Sequence, residues 1–187
     1  MNPLWLATRA TGEVSLVLFS VVTVMGIATT KGWASSRWPE SVVTLLHRNI
    51  SLLSVVFLGV HIGTTVVDSY VPIGWLDVVI PFQTTYKTLW VGLGTIAFDL
   101  LLAVIITSLM RRRIPQSLWK GIHWTAYLMW AVAVVHSLGV GTDQLLTRVV
   151  AAAMVALVAG AVVARFLTPH RQDDPIVSVT TRTEIRR

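Results

Sequence analysis

The sequence predicts an all-α protein, a polytopic transmembrane bundle of five helices with its N-terminus outside and its C-terminus cytoplasmic. Three observations lead there. Hydrophobic residues make up 54% of the 187 and charged residues only 13%, where a soluble domain carries roughly a quarter charged. The apolar residues gather into five runs, most close to the roughly 20 residues that a helix needs to cross a bilayer. Lysine and arginine fall mostly on one side of those runs, as cytoplasmic loops do. The net charge of +6 therefore marks membrane flanks, and no nucleic-acid partner is expected. With no cysteine there is no disulfide, no thiolate zinc site and no cysteine-held iron–sulfur cluster.

Each element follows from its own stretch. Met1–Gly12, with Arg9, reads as a short leader. Val14–Thr30 is an uncharged run of seventeen bounded by Glu13 and Lys31, and four more spans follow it, so it reads as helix one rather than a cleaved signal. Lys31–Ser41 is a loop, with two tryptophans suited to the interface. Helix two spans about Val42–Val67 and carries Arg48 near its start. Ser69–Pro81 is the longest internal loop, with an interfacial segment over Trp75–Ile80. Helix three spans about Tyr86–Met110 and stops at Arg111-Arg112-Arg113, with Pro115 just beyond. Helix four spans about Ser117–Gly139, and helix five about Leu145–Phe166, after a short turn at Gly141–Asp143. Residues 1–167 thus form one membrane domain. Residues 168–187 are polar and mixed in charge, a composition that reads as a disordered cytoplasmic tail with His170 solvated. With the N-terminus outside, twelve Lys and Arg fall on the cytoplasmic side and three, Arg9, Lys87 and Arg148, on the outer side.

Helices two and four each carry two histidines: His47 and His61 fourteen apart, His123 and His136 thirteen apart. An ionisable side chain inside a span is costly, so its presence points to function. The two helices run in the same direction. His47 and His123 therefore share the cytoplasmic level, and His61 and His136 the outer one, roughly 20 Å away along the helix. Each level offers two imidazoles, which suit iron, copper or zinc. Haem is preferred, because a porphyrin supplies the other four ligands. Gly59, Gly63, Gly121 and Gly139 leave room beside the histidines for a broad ring. One feature resists this reading: fourteen residues return to within about 40° of the same helix face, whereas thirteen miss it by about 140°.

In these four histidines and their spacing, the chain resembles the ferric reductase-like transmembrane domain family. That family includes NADPH oxidases, ferric-chelate reductases and the haem subunit of the methionine-sulfoxide-reducing system. The oxidases show the same fourteen-and-thirteen spacing, and His47, His61, His123 and His136 match the family's haem ligands one for one. Arg9-Ala10 is similar to an Arg-Ala pair whose arginine lies near the outer haem. The resemblance covers roughly Leu4 to Phe166 and implies two haem b groups held by bis-histidine ligation. It departs from the oxidases in having no Gly-rich dinucleotide fingerprint, so no FAD or NADP site is expected within this chain, and donor electrons would have to come from elsewhere. Thr65 stands where the oxidases carry a further histidine, which puts oxygen as the terminal acceptor in doubt.

Other residues are candidates beside the histidines. Arg9, Arg48 and Lys120 are candidate partners for haem propionates, with Glu13 as an alternative partner for Arg9 and membrane anchoring as an alternative role for the other two. Asp68, Asp77 and Asp143 would form an acidic mouth above the outer site, or mark the membrane boundary. Asp99, mid-span, reads as a proton-handling group or as a carboxyl tying helices together. Trp124 and Trp130 read as core packing rather than contacts to a macrocycle. The expected function is a multi-pass cytochrome b subunit of the plasma or inner membrane. It would accept electrons from a separate flavoprotein reductase or quinone and pass them to a small outer acceptor or partner redox protein. The rival readings are a quinone-linked haem protein that reacts with superoxide or serves a partner reductase, and a membrane scaffold without redox chemistry.

Overall fold

A computed structural model describes residues 3–30, 39–141 and 144–167. The predicted tail and Asp143 lie outside the described residues. Among the described residues every regular element is helical: α1 (Pro3–Thr30), α2 (Glu40–Val67), a 3-10 turn (Trp75–Val78), α3 (Thr88–Leu109), α4 (Gln116–Val140) and α5 (Gln144–Leu167). The four later helices lie within two residues of their predicted ends. The first does not. The stretch read as a leader is helix from Pro3 onward, so Arg9 and Glu13 lie inside α1 and do not bound it.

The charges in α1 are tolerated because each meets a partner. The Arg9 guanidinium sits 5.5 Å from the Trp5 ring one turn earlier, close enough for a cation–π contact. The Glu13 carboxylate accepts a hydrogen bond from the Thr147 hydroxyl of α5 at 2.7 Å. Proline opens α1 and immediately precedes α2 and α4, where its missing N–H leaves no helical bond unmade.

Four of the helices, α1, α2, α3 and α5, are long and apolar enough to cross a membrane. The exception is α4. It is 25 residues long, but Lys120, His123, His136 and several hydroxyl and indole groups lower its hydropathy. Large apolar side chains such as Leu52, Val56, Leu89, Ile106, Val149 and Phe166 are exposed on the outside of the bundle, as they are where lipid is the solvent.

The packing is asymmetric. α1 runs against α2, α4 and α5, while α3 runs against α4, and α2 has no extended contact with α3 or α4. A cleft therefore separates the α1–α2 pair from the α3–α4 pair. Phe19, Ala97, Leu101 and Met129 form the buried core at mid-height. Beside it, the Trp130 indole N–H donates to the fully buried Ser20 hydroxyl at 2.9 Å and links α4 to α1.

The segment between α2 and α3 closes one end of the cleft. The Asp77 carboxylate takes the Gly74 N–H at 2.7 Å, and the Thr95 hydroxyl of α3 donates to the Asp77 carbonyl at 2.7 Å. Phe82, at φ 66°, lays its ring on Gly92 of α3 where no Cβ intervenes. The Lys87 ammonium donates to the Gly139 and Val140 carbonyls at 3.2 and 3.3 Å, a favourable place for a cation because these are the orphan acceptors at the end of α4.

Candidate functional site: two histidine pairs across the cleft

A cavity of about 260 Å³ opens in the cleft, lined by α1, α2, α3 and α4 and roofed by Val71, Ile73, Asp77 and Val78. His61 and His136 both line it, from opposite sides. The His61 ring lies against α1, with Nδ1 2.8 Å from the Thr8 carbonyl. The His136 ring lies against α3, with Nδ1 2.7 Å from the Trp90 carbonyl. A carbonyl can only accept, so in each ring Nδ1 carries the proton and Nε2 keeps the lone pair that a metal needs.

At the other level His47 and His123 face each other with ring centroids 6.4 Å apart and planes tilted by 58°. A metal–imidazole bond is about 2.0 Å and the ring centre lies about 1.1 Å beyond the nitrogen, so two imidazoles on opposite sides of one metal have centroids about 6.2 Å apart. The observed separation matches that spacing. His123 is stacked on Trp119 one turn earlier, at 5.1 Å and 25°, and the Arg111 guanidinium covers the far face of the stack at 4.3 Å from the Trp119 ring. Here the Nδ1 atoms of His47 and His123 are buried and have no hydrogen-bond partner. The Val22 carbonyl of α1 approaches His47 without meeting hydrogen-bond geometry.

The uneven spacing on α4 now has a physical account. On α2, fourteen residues keep both rings on the face that meets α1. On α4, thirteen residues turn the two rings toward different supports: His136 rests on the backbone of α3, and His123 on an indole of its own helix. No bend in α4 is required.

Both levels fit a haem better than a bare ion. Among the described residues no three His, Cys, Asp or Glu side chains come together as metal ligands, whereas zinc takes at least three from the protein. No Nε2 of the four histidines makes a hydrogen bond to a described residue, and none is among the sealed polar atoms. Two open Nε2 donors per level and a mostly apolar cleft are the donor set that a macrocycle with four nitrogens of its own completes.

The remaining candidates separate. Arg9 lines the cavity, as do Asp68 and Asp77, and Asp68 is buried and accepts the Tyr70 N–H at 3.1 Å. Arg48 and Lys120 are exposed and do not line it. The cavity belongs to the His61/His136 level, whereas Arg48 adjoins His47 and Lys120 lies three residues before His123, and Arg111 joins them there through the Trp119 ring. Asp99 is partly exposed and makes no hydrogen bond among the described residues, so it ties no described helices together. Trp130 packs in the core as expected, whereas Trp124 is 66% exposed. Gly139 receives the Trp90 ring, and a Cβ on Gly59, Gly63 or Gly121 would meet nothing within 4 Å.

The glycines that do touch the histidines are Gly12, Gly26 and Gly94, none of which sequence reasoning singled out. Their signal was available: each lies fourteen residues from another (Gly12 and Gly26) or on a helix adjacent in sequence to a histidine helix. The Thr8 and Trp90 carbonyls carried no signal, because any residue has a carbonyl. Trp119 was legible through its spacing of four from His123.

Compared with known families, the chain matches the family model described as ferric reductase like transmembrane component over residues 11–135, about two thirds of its length. The matched stretch includes His47, His61 and His123 and stops one residue short of His136. No curated protein and no solved structure matches the chain.

Proposed function

This chain belongs to the ferric reductase-like transmembrane component family, and from that premise we propose that it is a membrane cytochrome b subunit carrying electrons between two haem sites stacked across the bilayer. One observation supports this above the others. The four histidines pair across one cleft, His61 with His136 around the cavity and His47 with His123 at ring centroids 6.4 Å apart. Helix-packing histidines would be hydrogen-bonded between helices through both nitrogens, and here every Nε2 lacks a described partner.

Each haem, when bound, supplies one-electron redox chemistry. The chain supplies position and surroundings. Nε2 of His61 and of His136 would hold the group at one level, and Nε2 of His47 and of His123 at the other. A group held by two histidines at each level would exchange electrons with its partners without binding a substrate, as in outer-sphere transfer. Phe19, Leu101 and Met129 lie between the levels and keep the path dry. Arg9 beside one site, and Arg48, Lys120 and Arg111 near the other, are the cations available to meet propionates.

The positive-inside distribution sets the direction in this proposal. Electrons enter at the His47/His123 level from a flavoprotein reductase or quinol and leave at the His61/His136 level to an acceptor outside. Purified protein should show two low-spin haems b per chain in the dithionite-reduced minus oxidised spectrum and in a pyridine haemochrome assay. A colourless protein from haem-replete cells would overturn the proposal.

A further inference from the structure

The four histidines are not held alike, and the difference lies in the helices they lean on. We propose that Gly12 and Gly94 are positioning residues that seat the His61 and His136 imidazoles on helix carbonyls, and that at the other level this support is weaker for His47 and blocked for His123, so the two haem levels differ by construction in ligand strength. The consequence for potential rests on the two-haem proposal above; the seating itself does not.

A helical carbonyl points along the axis toward the residue four positions on. It has two lone pairs, one for that residue's amide and one to spare. An imidazole from a neighbouring helix can reach the spare pair only past the side chain of that fourth residue. At both seats this residue is glycine. Thr8 accepts from His61 and Gly12 follows it by four; Trp90 accepts from His136 and Gly94 follows it by four. A Cβ on Gly12 would lie 2.9 Å from His61 Nδ1, and one on Gly94 would lie 2.7 Å from His136 Nδ1. Neither distance is possible without moving the ring off its carbonyl.

The pattern then repeats along each helix with the spacing of the histidines, and weakens. Fourteen residues beyond Thr8 and Gly12 stand Val22 and Gly26, beside His47, which is fourteen from His61. There the same carbonyl-and-glycine seat recurs, with the Gly26 Cβ position 3.7 Å from the ring, but the Val22 carbonyl stands outside the hydrogen-bond limits, so the support is weaker. Thirteen residues beyond Trp90 and Gly94 stand Ala103 and Thr107, at the register of His123. Thr107 is not glycine, and its hydroxyl donates to the Ala103 carbonyl at 2.7 Å, occupying the acceptor. Both Nδ1 atoms at this level are left without a partner.

An Nδ1–H bonded to a carbonyl makes Nε2 a stronger donor, and losing such a bond usually costs about 10–100-fold in metal affinity. A stronger axial donor favours the ferric state. The test compares the wild type with Gly12→Ala and Gly94→Ala, with Gly160→Ala as control because nothing lies within 4 Å of it. In a redox titration followed by visible and EPR spectra, each seat variant should shift one haem component to higher potential, or lose it with a roughly tenfold or greater drop in haem retention. The other component should stay where it was. Thr107→Gly should do the opposite, lowering the potential of the second component, and it adds no atom that could block folding. Unchanged potentials in both seat variants, or equal damage from Gly160→Ala, would overturn the proposal.

A colourless wild type would instead remove the haem reading and leave the seats to be judged by imidazole ¹⁵N NMR of the haem-free protein. His61 and His136 should then be fixed as Nδ1–H tautomers, and Gly12→Ala should release His61 alone. A His61 signal that does not respond would end the proposal on that branch.

Discussion

Glu13 accepts one hydrogen bond, from Thr147, and its second carboxyl oxygen is buried with no partner. Removing the Thr147 hydroxyl leaves the whole carboxyl unsatisfied, which costs about 1–3 kcal/mol for a buried polar group. Thr147→Val should therefore lower stability by that amount in a denaturant titration in detergent, through the loss of the α1–α5 link. Histidine substitutions act differently. His123→Ala removes one imidazole of a facing pair and leaves the other level's supports, Thr8 and Trp90, untouched. The haemochrome assay should fall from two haems per chain to one, with the remaining spectrum low-spin. Loss of both haems together would mean that the levels are not independent.

At the scale of the element, α3 shows how one helix serves two tasks. Its Gly92 receives the Phe82 ring and so fastens the segment that roofs the cavity, while two residues on, Gly94 admits His136. Gly92→Ala overpacks the first contact. It should cost about 1–3 kcal/mol and loosen the roof, seen as faster hydrogen exchange across residues 71–82, before it disturbs the histidines. The same helix carries Asp99, a carboxyl in mid-span without a described partner. Insertion scales set aspartate at about +2.5 to +3.5 kcal/mol and leucine near −0.5 kcal/mol at a helix centre. Asp99→Leu should accordingly insert and fold at least as well as the wild type. Reduced yield would show that the carboxyl has a partner which these helices do not supply.

At the scale of the whole molecule, the α1–α2 and α3–α4 pairs border the cleft and meet where α1 packs on α4, with α5 beside α1, and the proposed orientation rests on charge. Because the chain has no cysteine, single introduced cysteines report sidedness without background. Tyr70 is 82% exposed, so Tyr70→Cys should react with an impermeant maleimide on intact cells, and Arg112→Cys only after the membrane is opened. The reverse pattern would turn the proposed electron path around.

The sequence by itself determined the helices and the four histidines. Apolar runs bounded by Pro39, the arginine triplet and Pro115 leave few alternatives, because the bilayer permits only helices with every backbone group satisfied within them. It misplaced the start of α1, since charge ends an apolar run but does not end a helix whose charges meet Trp5 and Thr147. The tertiary structure alone decided how the histidines are held. The Thr8 and Trp90 carbonyls are invisible in a sequence, and Gly12 and Gly94 look like any other membrane glycines until a neighbouring helix sets an imidazole in the space they leave. The same holds for the thirteen-residue spacing, which contradicts a single helix face and becomes sensible only when α3 and Trp119 provide a different support for each ring.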